Sequence, residues 1–242
     1  MVVKAPMRAR VRGFIVGIAP IIALMTVVRI ALAEPYHIPS GSMSPTLMEG
    51  DWLYVNKLRY GPHIPFTDIN LPGYAEPRRG DVVVFISPPQ DPAIRITPGD
   101  ITPTLVKRIV GVGGDTLHMR GGVLFVNGIG EEYRRTVAGD DYTTTLFDAQ
   151  SALEVRGTRF GDPPAQRSLH TWGPLVVPND FLYMLGDNRD SSVDSRFYGA
   201  VPRRNVRGKP MFVYYSYDTR GGEEFIRAVT EIRWRRIGDL IR

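Results

Sequence analysis

The chain contains no cysteine. Disulfides, thiolate nucleophiles and zinc–thiolate sites are therefore excluded. Lysine is scarce: of 30 basic residues only Lys4, Lys57, Lys107 and Lys209 are lysine, and the rest are arginine. Arginine stays protonated in proteins, so a basic side chain acting as general base would have to be one of those four lysines. The four histidines, His37, His63, His118 and His170, are scattered and lack the spacing of metal ligands. Several catalytic signatures are also missing. There is no G-x-S-x-G, S-x-x-K, H-E-x-x-H or G-x-x-x-x-G-K-[ST]. The arginines form no run interleaved with stacking aromatics, so the net charge of +5 does not point to nucleic acid.

Long apolar runs are equally rare. The chain has one, GFIVGIAPIIALMTVVRIALA at 13–33, after a basic segment with Lys4, Arg8, Arg10 and Arg12. A helix of that length spans roughly 30 Å, one hydrocarbon core. The basic flank keeps the N-terminus cytoplasmic and places the rest outside. A basic segment, an apolar segment and Ala-Leu-Ala at 31–33 also describe a cleavable signal peptide. Both readings make the bulk of the chain extracytoplasmic.

What remains is dominated by short strand-like pieces. DWLYVNKL (51–58), DVVVFI (81–86), TLVKRIVGV (104–112), DTLHM (115–119), GVLFVNG (122–128), DFLYML (180–185) and PMFVYYSY (210–217) are rich in β-branched and aromatic residues. Several follow Gly-Asp turn signals. The composition predicts an all-β domain, mainly antiparallel, over 34–133 and 176–242. Residues 134–175 are polar and weakly patterned and read as a smaller inserted subdomain. The last 20 residues fit helix and strand equally well.

Three serines crowd IPSGSMSPTL at 38–47. A serine hydroxyl becomes a nucleophile only with a base, and lysine can serve if burial keeps it neutral. Lys107 shares its strand face with Leu105 and Ile109, whereas Lys57 has Arg59 on its face and Asn56 beside it. The pattern favours Lys107 without excluding Lys57. The polar loop GDNRDSSVDSR at 186–196 does not match a calcium loop, because Arg189 falls where an acceptor is needed.

Four blocks in order, EPYHIPSGSMSPTLMEGDWLYVNKLRYG (34–61), RGDVVVF (79–85), LVKRIVGVGGD (105–115) and GDNRDSSVDSRFYGAVP (186–202), resemble the type I signal peptidases, membrane-anchored serine proteases with a Ser–Lys dyad. The resemblance implies Ser42 as nucleophile and Lys107 as general base. It implies an oxyanion hole of Ser40 and the Ser42 backbone N–H, with Ser192, Asp194 and Arg196 in support. Apolar substrate pockets fall on Ile38, Pro39, Met43, Leu47, Leu53, Val84, Leu105 and Val106, where Leu105 replaces an aromatic common in the family. The implied activity is removal of signal peptides from exported preproteins after Ala-x-Ala-like sites, without metal or other cofactor. The implied partners are signal peptides and membrane lipid, on a monomer anchored in the inner membrane by 13–33 with its catalytic domain on the periplasmic face. Two other readings are a specialised Ser–Lys peptidase that matures a dedicated substrate such as a conjugation pilin, and a non-catalytic membrane-anchored peptide-binding β module.

Overall fold

The computed structural model describes residues 16–21, 33–63, 67, 69–92, 94–95, 99–131, 150, 152–164, 167–221 and 224–242. Two antiparallel sheets hold nearly all of the regular structure. The larger has seven strands in the order β1-β2-β11-β3-β4-β9-β10, and the smaller has four, β7-β6-β5-β8. The strands of the first are β1 (Ala33–His37), β2 (Asp51–Asn56), β3 (Val82–Ile86), β4 (Thr104–Val112), β9 (Phe181–Leu185), β10 (Val201–Pro202) and β11 (Val206–Ser216). Those of the second are β5 (Thr116–Arg120), β6 (Val123–Val126), β7 (Ile129–Glu131) and β8 (Trp172–Val176). Residues 16–21 are helical. Among the described residues no helix is long and apolar enough to cross a membrane. Residues 13–15 and 22–32 of the expected anchor lie outside the described residues, and Ala33 already belongs to β1.

Side-chain patterning explains the layering. In β2, Asp51, Leu53 and Val55 point inward while Trp52, Tyr54 and Asn56 point out, the period of a strand with one wet face. β3 is buried almost throughout, as a central strand covered on both faces should be. Pro210 sits inside β11, a central strand, where a missing N–H is normally excluded. It is tolerated at a register shift between Pro210 and Phe212 against β2. Gly111 marks a second shift, where β4 diverges from β9. A Cβ there would lie 2.7 Å from Leu117 Cδ1, so β4 and β5 approach each other only because the residue is glycine.

Three apolar clusters fix the layers. Val110, Leu117, Met119, Trp172 and Tyr183 join the small sheet to β9. Phe85, Ile109, Met184 and Val201 fill the middle of the large sheet. Ile38, Met43, Leu47, Leu53, Val82, Val213 and Ile241 lie beneath the serine-rich segment. Each fully buried side chain of this size contributes about 1.5–3 kcal/mol. The small sheet draws β5, β6 and β7 from before residue 134 and closes with β8, which ends one residue past the expected subdomain. Residues 134–149, 151 and 165–166 of that segment lie outside the described residues. The C-terminal stretch that fits either period forms a helix, Glu224–Thr230, then a 3-10 turn, Trp234–Arg236.

Candidate active site

Every neighbouring pair in the order β1-β2-β11-β3-β4 is antiparallel, so β1 and β4 run in the same direction. The sheet curls until these two strands flank one cleft, with Tyr36–Ser40 on one wall and Pro103–Lys107 on the other. Both walls lead toward the serines.

The segment after β1 is pinned before it reaches them. Ile38 N–H donates to Asp51 O at 2.8 Å, and Gly50 N–H donates to Ile38 O at 2.9 Å. A 3-10 turn, Gly41–Met43, then carries Ser42, with Met43 buried beneath it. The loop after β9 holds the turn from the other side. Asn188 N–H donates to Ser42 O at 3.0 Å, and Asn188 Nδ2 donates to Gly41 O at 3.2 Å.

Lys107 reaches Ser42 from β4, 65 residues downstream, with Nζ 2.6 Å from Oγ. Its side chain is 2% exposed. Burial lowers its pKa from 10.5 to about 8, nearby Asp194 and Asp187 oppose that fall, and Arg196 adds to it. The other described lysines are neutralised. Lys57 pairs with Glu34 at 2.5 Å and Lys209 with Asp81. Among the described residues Lys107 alone of the lysines has no carboxylate in ion-pair reach. A shift of that size amounts to about 3 kcal/mol of penalty on the ammonium. The amine form can accept the Ser42 hydroxyl proton.

Asp194 and Arg196 are wholly buried and joined by two side-chain hydrogen bonds, Nε to Oδ1 at 2.8 Å and Nη2 to Oδ2 at 2.8 Å, and by a third from the Arg196 backbone N–H to Oδ1 at 3.2 Å. Asp194 also accepts from Gly186 N–H at 3.0 Å, and Arg196 donates to Arg189 O at 2.6 Å and Leu169 O at 3.3 Å. Nearly every polar atom of the pair is thus satisfied, as buried charges require. Burial alone would raise the Asp194 carboxyl, but Arg196 and the Gly186 N–H hold it below its ordinary value.

Ser192 differs from the expectation. It packs against Gly186, but its Oγ is buried without a hydrogen-bond partner, so it does not hold Lys107 in this structure. Ser40 Oγ lies 3.5 Å from Ser42 Oγ, the limit of hydrogen-bond reach. Of the expected pocket residues, Ile38, Pro39, Met43, Leu105 and Val106 line the cleft. Leu47, Leu53 and Val84 do not. All three are wholly buried; the first two form the core under the serine turn, and Val84 is the cross-strand partner of Val106 on β3. Tyr36, His37, Pro103 and Thr104 line it unforeseen. His37 packs at a tilt against Trp52, with 5.0 Å between centroids.

A second unforeseen group ties the elements together. Arg108 points to the opposite face from Lys107 and binds Asp187 with both Nε (2.8 Å) and Nη2 (2.6 Å). Thr46 Oγ1 donates to the same carboxylate at 2.6 Å. Asp187 thereby links β4, the serine segment and the 186–196 loop. The only available signal was strand alternation, which sends Arg108 away from Lys107 but not to a partner. Among the described residues no cluster of three His, Asp or Glu could hold a metal ion.

The family model for signal peptidase, peptidase S26, matches residues 11–215. The chain belongs to this family. Within the signal peptidase family, a signal peptidase I of Pseudomonas aeruginosa is 34% identical over 216 residues, 82% of this chain and 70% of the relative. One of Aquifex aeolicus is 32% identical over 240 residues, 85% of this chain and 84% of the relative. A crystal structure of a signal peptidase I from Enterococcus faecalis V583 aligns with a TM-score of 0.33 at 24% identity, over 55% of this chain and 96% of that one. Membership of the S26 peptidases makes this chain a serine peptidase, a hydrolase.

Proposed function

We propose that this serine peptidase removes signal peptides from exported preproteins, with Ser42 as nucleophile and Lys107 as general base. The observation that carries the assignment is the 2.6 Å contact between Ser42 Oγ and a buried lysine amine held near pKa 8. The substrate lies extended in the cleft between β1 and β4. Its carbonyl carbon is attacked by Ser42 Oγ, whose proton passes to Lys107 Nζ. The Ser42 backbone N–H and the Ser40 hydroxyl face the developing oxyanion, a contribution worth about 3 kcal/mol per donor in comparable sites. The Lys107 ammonium then protonates the leaving amine, and water attacks the Ser42 ester with Lys107 again taking a proton. Shallow walls of Ile38, Met43, Leu105 and Val106 favour small residues at −1 and −3, as in Ala-x-Ala.

The apolar run 13–33 anchors the protein in the inner membrane as a monomer, with the peptidase domain outside. It joins β1 directly and so delivers the cleft to the bilayer surface. Residues 134–175 form a smaller subdomain on the same core. Preprotein processing by the purified full chain tests the assignment. Ser42→Ala and Lys107→Ala should each abolish cleavage with the fold intact by circular dichroism. Lys107→Arg should fail as well, because arginine does not release its proton. Processing at wild-type rate by either lysine variant would overturn it.

A further inference from the structure

The serine-bearing segment is a loop closed at its ends, where Ile38 and Asp51 are joined backbone to backbone. Ser42 stands on the outgoing limb, which Asn188 grips from the 186–196 loop. The return limb is gripped from elsewhere. Three of its carbonyls are taken by the C-terminal part of the chain. Arg236 Nη2 donates to Thr46 O at 3.1 Å, Arg233 Nη1 to Glu49 O at 2.9 Å, and Tyr217 N–H to Gly50 O at 3.3 Å.

Arg236 makes the most of these contacts. Its Nε and Nη2 also donate to the wholly buried Asp51 carboxylate, at 3.0 and 2.6 Å. That carboxylate further accepts from Met48 N–H at 2.8 Å and from Ser216 Oγ at 2.7 Å. One guanidinium thus ties the return limb to itself and, through Asp51, to β11. The segment that carries Arg236 is fixed in turn. Arg233 N–H donates to Ser216 O at 2.8 Å, Gly238 N–H to Val213 O at 2.8 Å and Ile241 N–H to Met211 O at 3.0 Å. Thr46 is held on its other side as well, because its Oγ1 donates to Asp187, the partner of Arg108. Arg108 follows Lys107 in β4. A continuous path of hydrogen bonds therefore runs from the strand of the lysine, through Asp187 and Thr46, to Arg236.

We propose that Arg236 is a positioning residue for the nucleophile: by holding Thr46 O and Asp51 together it keeps the Ser42 loop in register with Lys107. The proposal rests on Ser42 as nucleophile, as assigned above. A planar guanidinium can satisfy a carboxylate and a carbonyl at once in one fixed geometry. Leu47 N–H donates to Met43 O at 2.9 Å, so a shift at Thr46 passes directly to the turn that carries Ser42. A displacement on the order of 1 Å lowers turnover about a hundredfold.

The test measures kcat and KM for a short soluble peptide with the full chain in maltoside micelles. Arg236→Gln should lower kcat roughly tenfold or more with KM held within about twofold. Arg235→Gln, the same charge change at an exposed position of the same turn, should leave both at wild-type values. Thr46→Val removes the bond to Asp187 and should also lower kcat. If the two act through the placement of Thr46, their effects are not independent. Where each single variant loses about tenfold, the double variant should lose about tenfold and not about a hundredfold. Multiplied losses in the double variant, wild-type kcat in Arg236→Gln, or an equal loss in Arg235→Gln would each overturn the proposal. Arg236→Gln leaves the buried Asp51 without its cation, which can prevent folding. In that case Arg236→Lys, which keeps a cation but ends one bond short of Nη2, carries the cycle with Thr46→Val, and wild-type kcat in both overturns it. Ser42→Ala is assayed beside them. Cleavage at the wild-type rate there would overturn the nucleophile, whereas an inactive Ser42→Ala with wild-type Arg236→Gln would overturn the positioning role alone.

Discussion

Asp194 and Arg196 meet through two 2.8 Å hydrogen bonds with neither side chain exposed to solvent. They bear on Lys107 with opposite signs, Asp194 favouring its charged form and Arg196 disfavouring it. Removing one partner strands the other charge in the core, at a cost of about 3–5 kcal/mol. Asp194→Asn should therefore lower stability sharply in urea unfolding. In the fraction that folds, loss of the carboxylate should move the activity pKa downward, because Asp187 alone is then left to oppose burial and the arginine's repulsion. A variant with unchanged midpoint and unchanged pH profile would show that the pair neither supports the loop nor acts on the lysine.

The depressed lysine sets the direction of the pH profile. Lys107 works as a base only when neutral, and its pKa lies near 8. Activity in the free enzyme should rise about tenfold per pH unit below that value and level off above it. The log of kcat/KM for a peptide substrate, measured between about pH 6 and 10, checks this. A profile that falls with rising pH across that window would exclude a lysine base.

The same depression also makes stability depend on pH. The unfolded chain holds a proton on Lys107 up to its ordinary pKa of 10.5, whereas the folded chain releases it near 8. The unfolded state thus binds more protons between these values, and the folded state gains stability as pH rises through them. Below pH 8 the protein bears the full penalty of a buried ammonium. Lys107→Met, similar in length and uncharged, should remove that penalty. It should raise stability by about 1–3 kcal/mol at neutral pH while abolishing cleavage. Equal denaturation midpoints for the two proteins at pH 6 would mean that the lysine is not desolvated in the folded state.

Much of this arrangement was legible in the residues. Every strand expected from β-branched and aromatic runs exists, from DWLYVNKL as β2 to PMFVYYSY within β11. Alternation on β4 favoured Lys107 over Lys57, and the Glu34–Lys57 pair shows physically why Lys57 is unsuited. Other elements carried no local signal. β1 reads AEPYH, with a proline and a glutamate, and is a strand because β2 pairs with it. β8 reads WGPLV and is likewise defined by its pairing with β5. Leu47, Leu53 and Val84 look like Ile38 and Met43 in sequence. Only the curl of the sheet separates residues that face the cleft from those that face the core beneath it. The Arg108–Asp187 pair spans 79 residues, beyond any periodicity argument.

Gly186 is where backbone approach and chemistry meet most closely. A Cβ added there would lie 2.1 Å from Ser192 Oγ, 2.5 Å from Ser192 Cβ and 2.6 Å from the Ser42 carbonyl oxygen. Two of those contacts belong to a side chain that can be removed; the third belongs to the backbone that carries the nucleophile. Gly186→Ala should therefore displace the Ser42 turn, and a misplacement on the order of 1 Å lowers turnover about a hundredfold. The second substitution Ser192→Gly should recover part of the lost stability, because it clears both side-chain contacts. It should not recover kcat, because the clash with the Ser42 carbonyl remains. Thermal melting and peptide turnover on the single and double variants separate the two effects. Full recovery of kcat in the double variant would show that Ser192, and not the Ser42 backbone, requires glycine at 186.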